Sequence, residues 1–220
     1  MTTAIKSRYG FTLVELLISM AVGGVVMAGI CSAYYSQQES YITQDQVSAM
    51  QQNLRAGLWF MEREIRMAGY DPTGTANAGI VTANPTSIRV TLDLNADGDT
   101  DGDTDDSNED ITYALYDSDG DGDSDLARKV GGGNNQPVAD NIDVLNFVYL
   151  DQAGDIATTL PDIRSVQVTL VARAQRPDTK YTDTASYANQ QGEQILSTQN
   201  DNFRRKRLTA EIKCRNLGLN

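Results

Sequence analysis

Aspartate at alternate positions around glycine is the most chemically distinctive pattern in this sequence. It occurs in two segments, and in each an Asp or Asn fills every second position while Gly interrupts the series. The first set is Asp93, Asn95, Asp97, Asp99 and Asp101, and the second set is Asp117, Asp119, Asp121, Asp123 and Asp125. Alternate carboxylates around a glycine turn can surround one hard cation with oxygen ligands at about 2.3–2.6 Å, as calcium prefers. The sequence therefore predicts Ca²⁺ as a cofactor, bound once by each set.

The two segments are not EF-hand loops. An EF-hand places a bidentate Glu at the twelfth loop position, but here that position is Thr104, Asn108 or Arg128 in the three registers that fit. They are more similar to the Asp-rich calcium repeats of extracellular proteins, which bind in the range of about 0.1–1 mM. A solvated acidic loop is the alternative. Because residues 93–125 hold 14 acidic residues and no basic one, their self-repulsion predicts disorder unless a cation neutralises it.

Charge and composition exclude several classes of function. The chain carries 30 acidic and 18 basic residues, a formal net charge of −12, and no histidine. Outside the acidic block the charges nearly balance, so no basic face for nucleic acid is expected. The carboxylates are strung along glycine-rich turns and are not paired in an apolar cleft, as carboxylate-based hydrolysis requires. We therefore expect a protein that is not an enzyme.

One carboxylate, Glu15, lies inside an apolar run from Phe11 to about Ile30. About 20 such residues form a helix long enough to cross a bilayer core of roughly 30 Å. A carboxylate at the centre of such a span costs on the order of 2.5–3.5 kcal/mol, so a specific partner for Glu15 is expected. Lys6 and Arg8 precede the run and predict that the N-terminal residues stay in the cytoplasm, with the chain after the run on the other side.

The junction Gly10-Phe11, with Glu15 shortly after it, closely resembles the prepilin signal of type IV pilins and of type II secretion pseudopilins. The resemblance implies that a membrane peptidase cuts after Gly10 and methylates the new amine of Phe11. Glu15 of one subunit can then neutralise that amine on a neighbouring subunit, which removes two buried unpaired charges together. A secretory signal peptide, a lipoprotein signal ending at Cys31 and an ordinary membrane anchor are the alternatives. None of them accounts for Gly10-Phe11 together with Glu15.

A single long helix is predicted from Phe11 to about Ala68. No proline occurs between Phe11 and Asp71, and Gly69 followed by Pro72 is typical of a helix end. An apolar stripe repeats at spacings of three and four in the second half: Val47, Met50, Leu54, Leu58, Met61, Ile65 and Ala68. This stripe predicts packing on the following domain, with a coiled coil as the alternative. It is also predicted, with the sheet edge, to contact other minor subunits.

After the helix, alternating apolar residues predict antiparallel strands. The predicted strands cover residues 88–92, 111–116, 144–150, 165–171 and 208–214. The polar segment 176–202 is predicted to be a long surface loop, partly mobile. The fold class is thus α+β, the pilin fold, with a long N-terminal helix packed on an antiparallel sheet. Its parts are a leader (1–10), a transmembrane part of the helix (11–35), an amphipathic part (36–69) and a β-rich domain (70–220) with acidic loops 93–110 and 117–125.

The C-terminal half resembles the W-type minor pilins of the type IV pilus. The likeness rests on the order of these segments: 136–142, a strand ending in 149–151, Leu160-Pro161 before a strand, Arg204-Arg205, and Arg215-Asn216. It implies a structural subunit that helps to initiate or cap pilus assembly. Its partners are then the prepilin peptidase, other minor and major pilins and the inner-membrane assembly machinery, and its location is the inner membrane and then the pilus. A J-type minor pseudopilin of a type II secretion system and a pilus-delivered calcium-dependent adhesin are the alternatives.

Overall fold

The structure, a computed structural model, describes residues 10–101, 108–117 and 120–218. Its one long helix is α1 (Leu13–Met67). The strands are β1 (Ile80–Asn84), β2 (Ser87–Thr91), β3 (Asp110–Tyr116), β4 (Asp125–Val130), β5 (Gln136–Ala139), β6 (Ile142–Leu150), β7 (Ser165–Arg173), β8 (Tyr187–Ala188), β9 (Gln194–Leu196) and β10 (Arg205–Lys213). The chain divides into two compact units, residues 1–45 and residues 46–220.

The first unit contains the apolar part of α1. The large apolar side chains of this part are exposed, from Phe11 at 88% to Ile42 at 45%. By length and composition α1 is able to cross a membrane. An exposed apolar surface of this extent requires a non-aqueous environment or other subunits around it. The predicted long helix is confirmed.

The remainder of α1 packs on the sheets of the second unit through the predicted stripe. Its buried residues are Met50, Leu54, Gly57, Met61, Glu64 and Ile65. A Cβ at Gly57 would lie 2.7 Å from Leu126 Cδ2 on β4, so the helix approaches the sheet closely at this point. The expectation that the stripe packs on the domain is confirmed. The expectation that the stripe contacts other subunits is wrong, because its central residues are already buried inside their own domain.

Antiparallel sheets form the rest of the second unit. Strands β1 to β5 make one sheet in sequential order, β10-β7-β6 make a second, and β8-β9 make a two-stranded ribbon. In the second sheet Leu145 pairs with Leu170 and Phe147 with Val168, which aligns their apolar faces toward the common core. The five predicted strands are all present, at β2, β3, β6, β7 and β10. Strand β10 ends the second sheet and exposes Lys206, Arg207 and Lys213.

Strand β7 is buried on both faces, which its strict alternation of polar and apolar residues did not predict. Eight of its nine residues are buried. Its polar face is covered by the segment that contains β8 and β9, since Gln191 Nε2 donates to Gln167 Oε1 at 2.8 Å. Asn189, buried in that segment, donates to Asn146 Oδ1 on β6 at 3.2 Å. The segment 176–202 lies at the surface, as predicted, and only Asp183 and Asn189 in it are buried. The sequence did not predict that it contains β8 and β9 and covers the polar face of the sheet.

Arg205 joins this cover to the second sheet. Its guanidinium lies 2.6 Å from Asp143 on β6, 3.1 Å from Asp183 and 2.7 Å from Asp201. Asp183 is fully buried, so its charge requires this partner. The hydrogen bond from Arg205 also lowers the pKa of Asp201 below its ordinary value.

Candidate assembly and cation-binding sites

The first candidate site is the start of α1. Thr12 and Glu15 form a capping box: Thr12 N and Thr12 Oγ1 donate to Glu15 Oε2 at 2.9 and 2.8 Å, and Glu15 N donates to Thr12 Oγ1 at 3.2 Å. This pattern satisfies free backbone donors of the first turn and places a negative charge at the positive end of the helix. Gly10 and Phe11 precede it and are exposed. Within a single chain, the carboxylate of Glu15 is therefore held by Thr12.

The second candidate site is the β2–β3 connection, where the first aspartate set lies. Asp93 is fully buried. Its Oδ1 accepts from Ala96 N at 2.6 Å, and its Oδ2 accepts from Thr73 Oγ1 at 3.1 Å. Asp93 thus fixes the start of the loop against the neighbouring turn at Thr73, and both of its oxygens already accept a hydrogen bond.

The following residues form a series of turns in which each side chain accepts from the backbone two residues later. Asn95 Oδ1 accepts from Asp97 N, Asp97 Oδ1 from Asp99 N, and Asp99 Oδ1 from Asp101 N, at 3.0–3.1 Å. These Asx turns explain why Asp and Asn alternate here. The turns coil the loop, so the alternating carboxylates lie close together.

A residue outside the predicted set completes the cluster. Asp97, Asp99 and Glu109 each offer a carboxylate oxygen, and these oxygens all lie within 4.8 Å of one another. Glu109 is 1% exposed. Its Oε1 accepts from the backbone N–H groups of Leu94 and Asn95, whereas its buried Oε2 has no hydrogen-bond partner. The loop is thus wrapped around Glu109, and one oxygen of that side chain is left unsatisfied.

The second aspartate set, in the β3–β4 connection, is arranged differently. Asp117 accepts from Gly120 N and Gly122 N, and Asp123 forms an ion pair with Arg173 on β7. Asp125 belongs to β4 and accepts from Asn141 N at 2.9 Å. Asp119 lies outside the described residues. Over the described residues, the structure groups three acidic ligands only around Glu109, and a calcium site at the second set stays a prediction.

A turn beside the first loop stabilises it. Desolvation raises the pKa of the Asp71 carboxyl, but hydrogen bonds from Thr73, Gly74 and Asn77 outweigh it, so the pKa is lowered overall. Asp71 is therefore ionised and orders this turn. Thr73 and Thr75 of the turn then contact Asp93 and the carbonyl of Gly98.

Two parts of the chain match known protein families. Residues 5–30 match the prokaryotic N-terminal methylation motif. Residues 104–216, half of the chain, match the type IV pilus-assembly protein W. The chain belongs to the type IV pilus-assembly protein W family. As a PilW-family protein with this motif, it is a structural pilin that is anchored in the inner membrane and becomes part of the pilus, as the sequence predicted.

Among solved structures, this PilW-family protein is similar to a type IV-like pilin from Thermus thermophilus. The two are 14% identical with a TM-score of 0.47, over 76% of this chain and 97% of the other. No curated protein matches the chain. The methylation motif implies processing by prepilin peptidase and assembly with other pilins.

In this PilW-family protein, sequence reasoning missed Glu109 as a member of the acidic cluster. In the loop register that begins at Asp97, the twelfth position is Asn108. Glu109 follows directly, one residue beyond the place where an EF-hand carries its Glu. A Glu at the thirteenth position of this register could have indicated the extra ligand. It was missed because only the twelfth position was considered.

Proposed function

We propose that this chain is a minor pilin that helps to initiate or cap the type IV pilus, and that its mature form begins at Phe11. The observation that carries the proposal is the exposed apolar part of α1 with one carboxylate, Glu15, in its first turn. After cleavage, the amine of Phe11 is a positive charge in the apolar phase. Such a charge is strongly disfavoured there without a partner of opposite sign.

Glu15 is the matching partner, but its contact with Thr12 gives it two separable tasks. In the single subunit it caps its own helix. In the fibre, its charge neutralises the Phe11 amine of a neighbouring subunit, and pairing the two charges removes the cost of burying either alone. The first task requires only a hydrogen-bond acceptor at position 15, whereas the second requires a negative charge.

Two substitutions separate these tasks. Glu15→Gln keeps an acceptor for the Thr12 donors and removes the charge, while Glu15→Val removes both. We expect both variants to be cleaved and inserted into the membrane normally, and both to be lost from sheared pili by at least about tenfold. The loss corresponds to an intersubunit charge pair of about 1.4 kcal/mol or more. Immunoblots of membrane and pilus fractions measure it, and mass spectrometry of the N-terminal peptide checks for methylated Phe11.

Ser19→Ala serves as the matched control, because Ser19 lies one turn further along the same helix and its hydroxyl donates to the backbone oxygen of Glu15, not to its carboxylate. This variant is expected to enter pili normally. Normal incorporation of Glu15→Gln with loss of Glu15→Val would show that capping alone matters and would refute the charge pair. A mature N-terminus near Ser32, or a lipidated Cys31, would refute the processing site.

A further inference from the structure

The structure assigns a divalent-cation site to Asp97, Asp99 and Glu109, and we infer that its ligand is calcium. The inference goes beyond the assembly role and does not depend on it. It differs from the sequence prediction in its residues, since Glu109 becomes the anchoring ligand, and Asp93 becomes a structural residue that holds the loop.

The buried oxygen of Glu109 is the observation that distinguishes this site from an ordinary acidic surface. Ionised carboxylates are rarely buried unless they are paired or coordinate a metal. Glu109 Oε2 is buried without a hydrogen-bond partner, and Asp97 and Asp99 are the acidic residues that share its cluster. Like charges at this spacing repel one another, and a cation between them offsets that repulsion.

The arginines that bind the sequence neighbours of Glu109 form ion pairs with other carboxylates. Arg89 binds Asp110 through two hydrogen bonds of 2.7 Å. Arg128 pairs with Glu64 at 2.9 Å and also donates to Asn108 Oδ1. Both sequence neighbours of Glu109 are thus matched with an arginine. Glu109, which lies between them, has no such partner among the described residues.

The geometry of the three oxygens suits one cation. Oxygens bound to a single calcium ion at about 2.4 Å lie at most about 4.8 Å apart, and the three carboxylate oxygens meet this limit. A site formed by three carboxylates favours calcium, which accepts six to eight oxygens in irregular geometry, over magnesium, which requires a regular octahedron and retains water. The Asx turns use one oxygen of Asp97 and one oxygen of Asp99. The second oxygen of Asp97 accepts from Asn95 Nδ2 at 2.9 Å, and an ionised carboxylate oxygen has a further lone pair with which it can bind a cation.

The test uses the full-length mature protein in detergent, melted in chelator and then in increasing calcium chloride at constant ionic strength. We expect a saturable rise in melting temperature, half complete at about 0.1–1 mM and reaching roughly 3–10 °C. Magnesium is expected to give a smaller rise, and sodium chloride alone none. Isothermal titration calorimetry gives the stoichiometry under the same conditions.

Glu109→Gln provides the decisive variant, because Gln has nearly the same shape and can still accept from Leu94 N and Asn95 N. Without its charge, the loop no longer has three mutually repelling carboxylates. We expect Glu109→Gln to melt at the same or a higher temperature than the parent in chelator and to lose most of the calcium-dependent rise.

Asp99→Asn, at an exposed position, is expected to reduce the rise without affecting folding in chelator. Asp155→Asn removes an exposed carboxylate elsewhere and is expected to retain the full rise.

Several results overturn the inference. Equal melting temperatures in chelator and in calcium would show that no site of this affinity exists. A full calcium-dependent rise in Glu109→Gln would place binding elsewhere, for example at the second aspartate set. A variant that is destabilised equally in chelator and in calcium would show that Glu109 only orders the loop backbone. Pilus incorporation of the same variants, measured in parallel, distinguishes these failures from a failure of the assembly role.

Discussion

Glu64 shows at the scale of single residues how a charge becomes part of an apolar core. It lies on the buried face of α1 and is 4% exposed. Arg128 Nε on β4 donates to both of its oxygens at 3.0 and 3.1 Å, and the hydroxyl of Tyr113 on β3 donates to Oε2. Burial raises the pKa of Tyr113, and the negative charge of Glu64 raises it further. Tyr113 therefore stays neutral and acts as a donor.

Removal of the Glu64 charge is predicted to destabilise the folded domain strongly. Glu64→Gln leaves the guanidinium of Arg128 buried without its counter-charge, and breaking a buried pair in this way costs about 3–5 kcal/mol. Urea unfolding followed by circular dichroism measures the change. Glu62→Gln on the same helix is the control, since Glu62 and Arg66 form an exposed pair of a kind that contributes about 0–1 kcal/mol. Similar losses for both variants would contradict the assigned role of Glu64.

At the scale of secondary-structure elements, the alternation of apolar residues in the sequence matches the burial of some strands and does not match that of others. Strands β2, β3, β6, β7 and β10 were predictable because apolar residues alternate along them. Strand β4 was not, because Asp125 and Arg128 are buried there through pairing with other segments. The cover over β7 was hidden for the same reason. Its polar contacts are long-range hydrogen bonds, which leave no periodic signal in the sequence.

Arg205 is predicted to control whether this cover stays closed. Arg205→Met removes the partner of Asp183, which is fully buried, and leaves its charge unpaired. We expect faster hydrogen–deuterium exchange across residues 178–202, while exchange in β6 and β7 changes much less. Lys206→Met, an exposed neighbour on β10, serves as the control. Unchanged exchange in the Arg205 variant would mean that the side-chain amide contacts hold the cover without it.

At the scale of the whole molecule, the chain combines an N-terminal helix that begins within the methylation motif with a β-rich domain that holds the acidic cluster and the polar cover. The helix, its end near Gly69 and the α+β class follow from hydrophobic periodicity, which long elements express clearly. The acidic cluster follows only in part. Alternating aspartates indicated the loop, but the contribution of Glu109 depends on its tertiary contacts with the backbone of Leu94 and Asn95.

Its position in the pilus is predicted to be at or near the tip, at low copy number. The acidic connections and the covering segment 176–202 add bulk that a densely packed shaft accommodates poorly. Gold-labelled antibodies against the domain are expected to mark fibre ends in electron micrographs, and quantitative mass spectrometry is expected to find far less of this chain than of the major subunit. Uniform labelling along the fibre would contradict this position.

The cationic edge of β10 has a consequence for subunits that wait in the membrane. Confinement to two dimensions raises their local concentration, and a nine-residue strand at the edge of a sheet is a template on which a neighbour adds its own strand. Lys206, Arg207 and Lys213 are exposed on this strand and outnumber its one exposed acidic residue, Glu211, so two copies brought edge to edge repel each other. This repulsion disfavours the pairing of β10 strands between subunits before assembly. Contacts between the N-terminal helices then remain the favoured route of polymerisation.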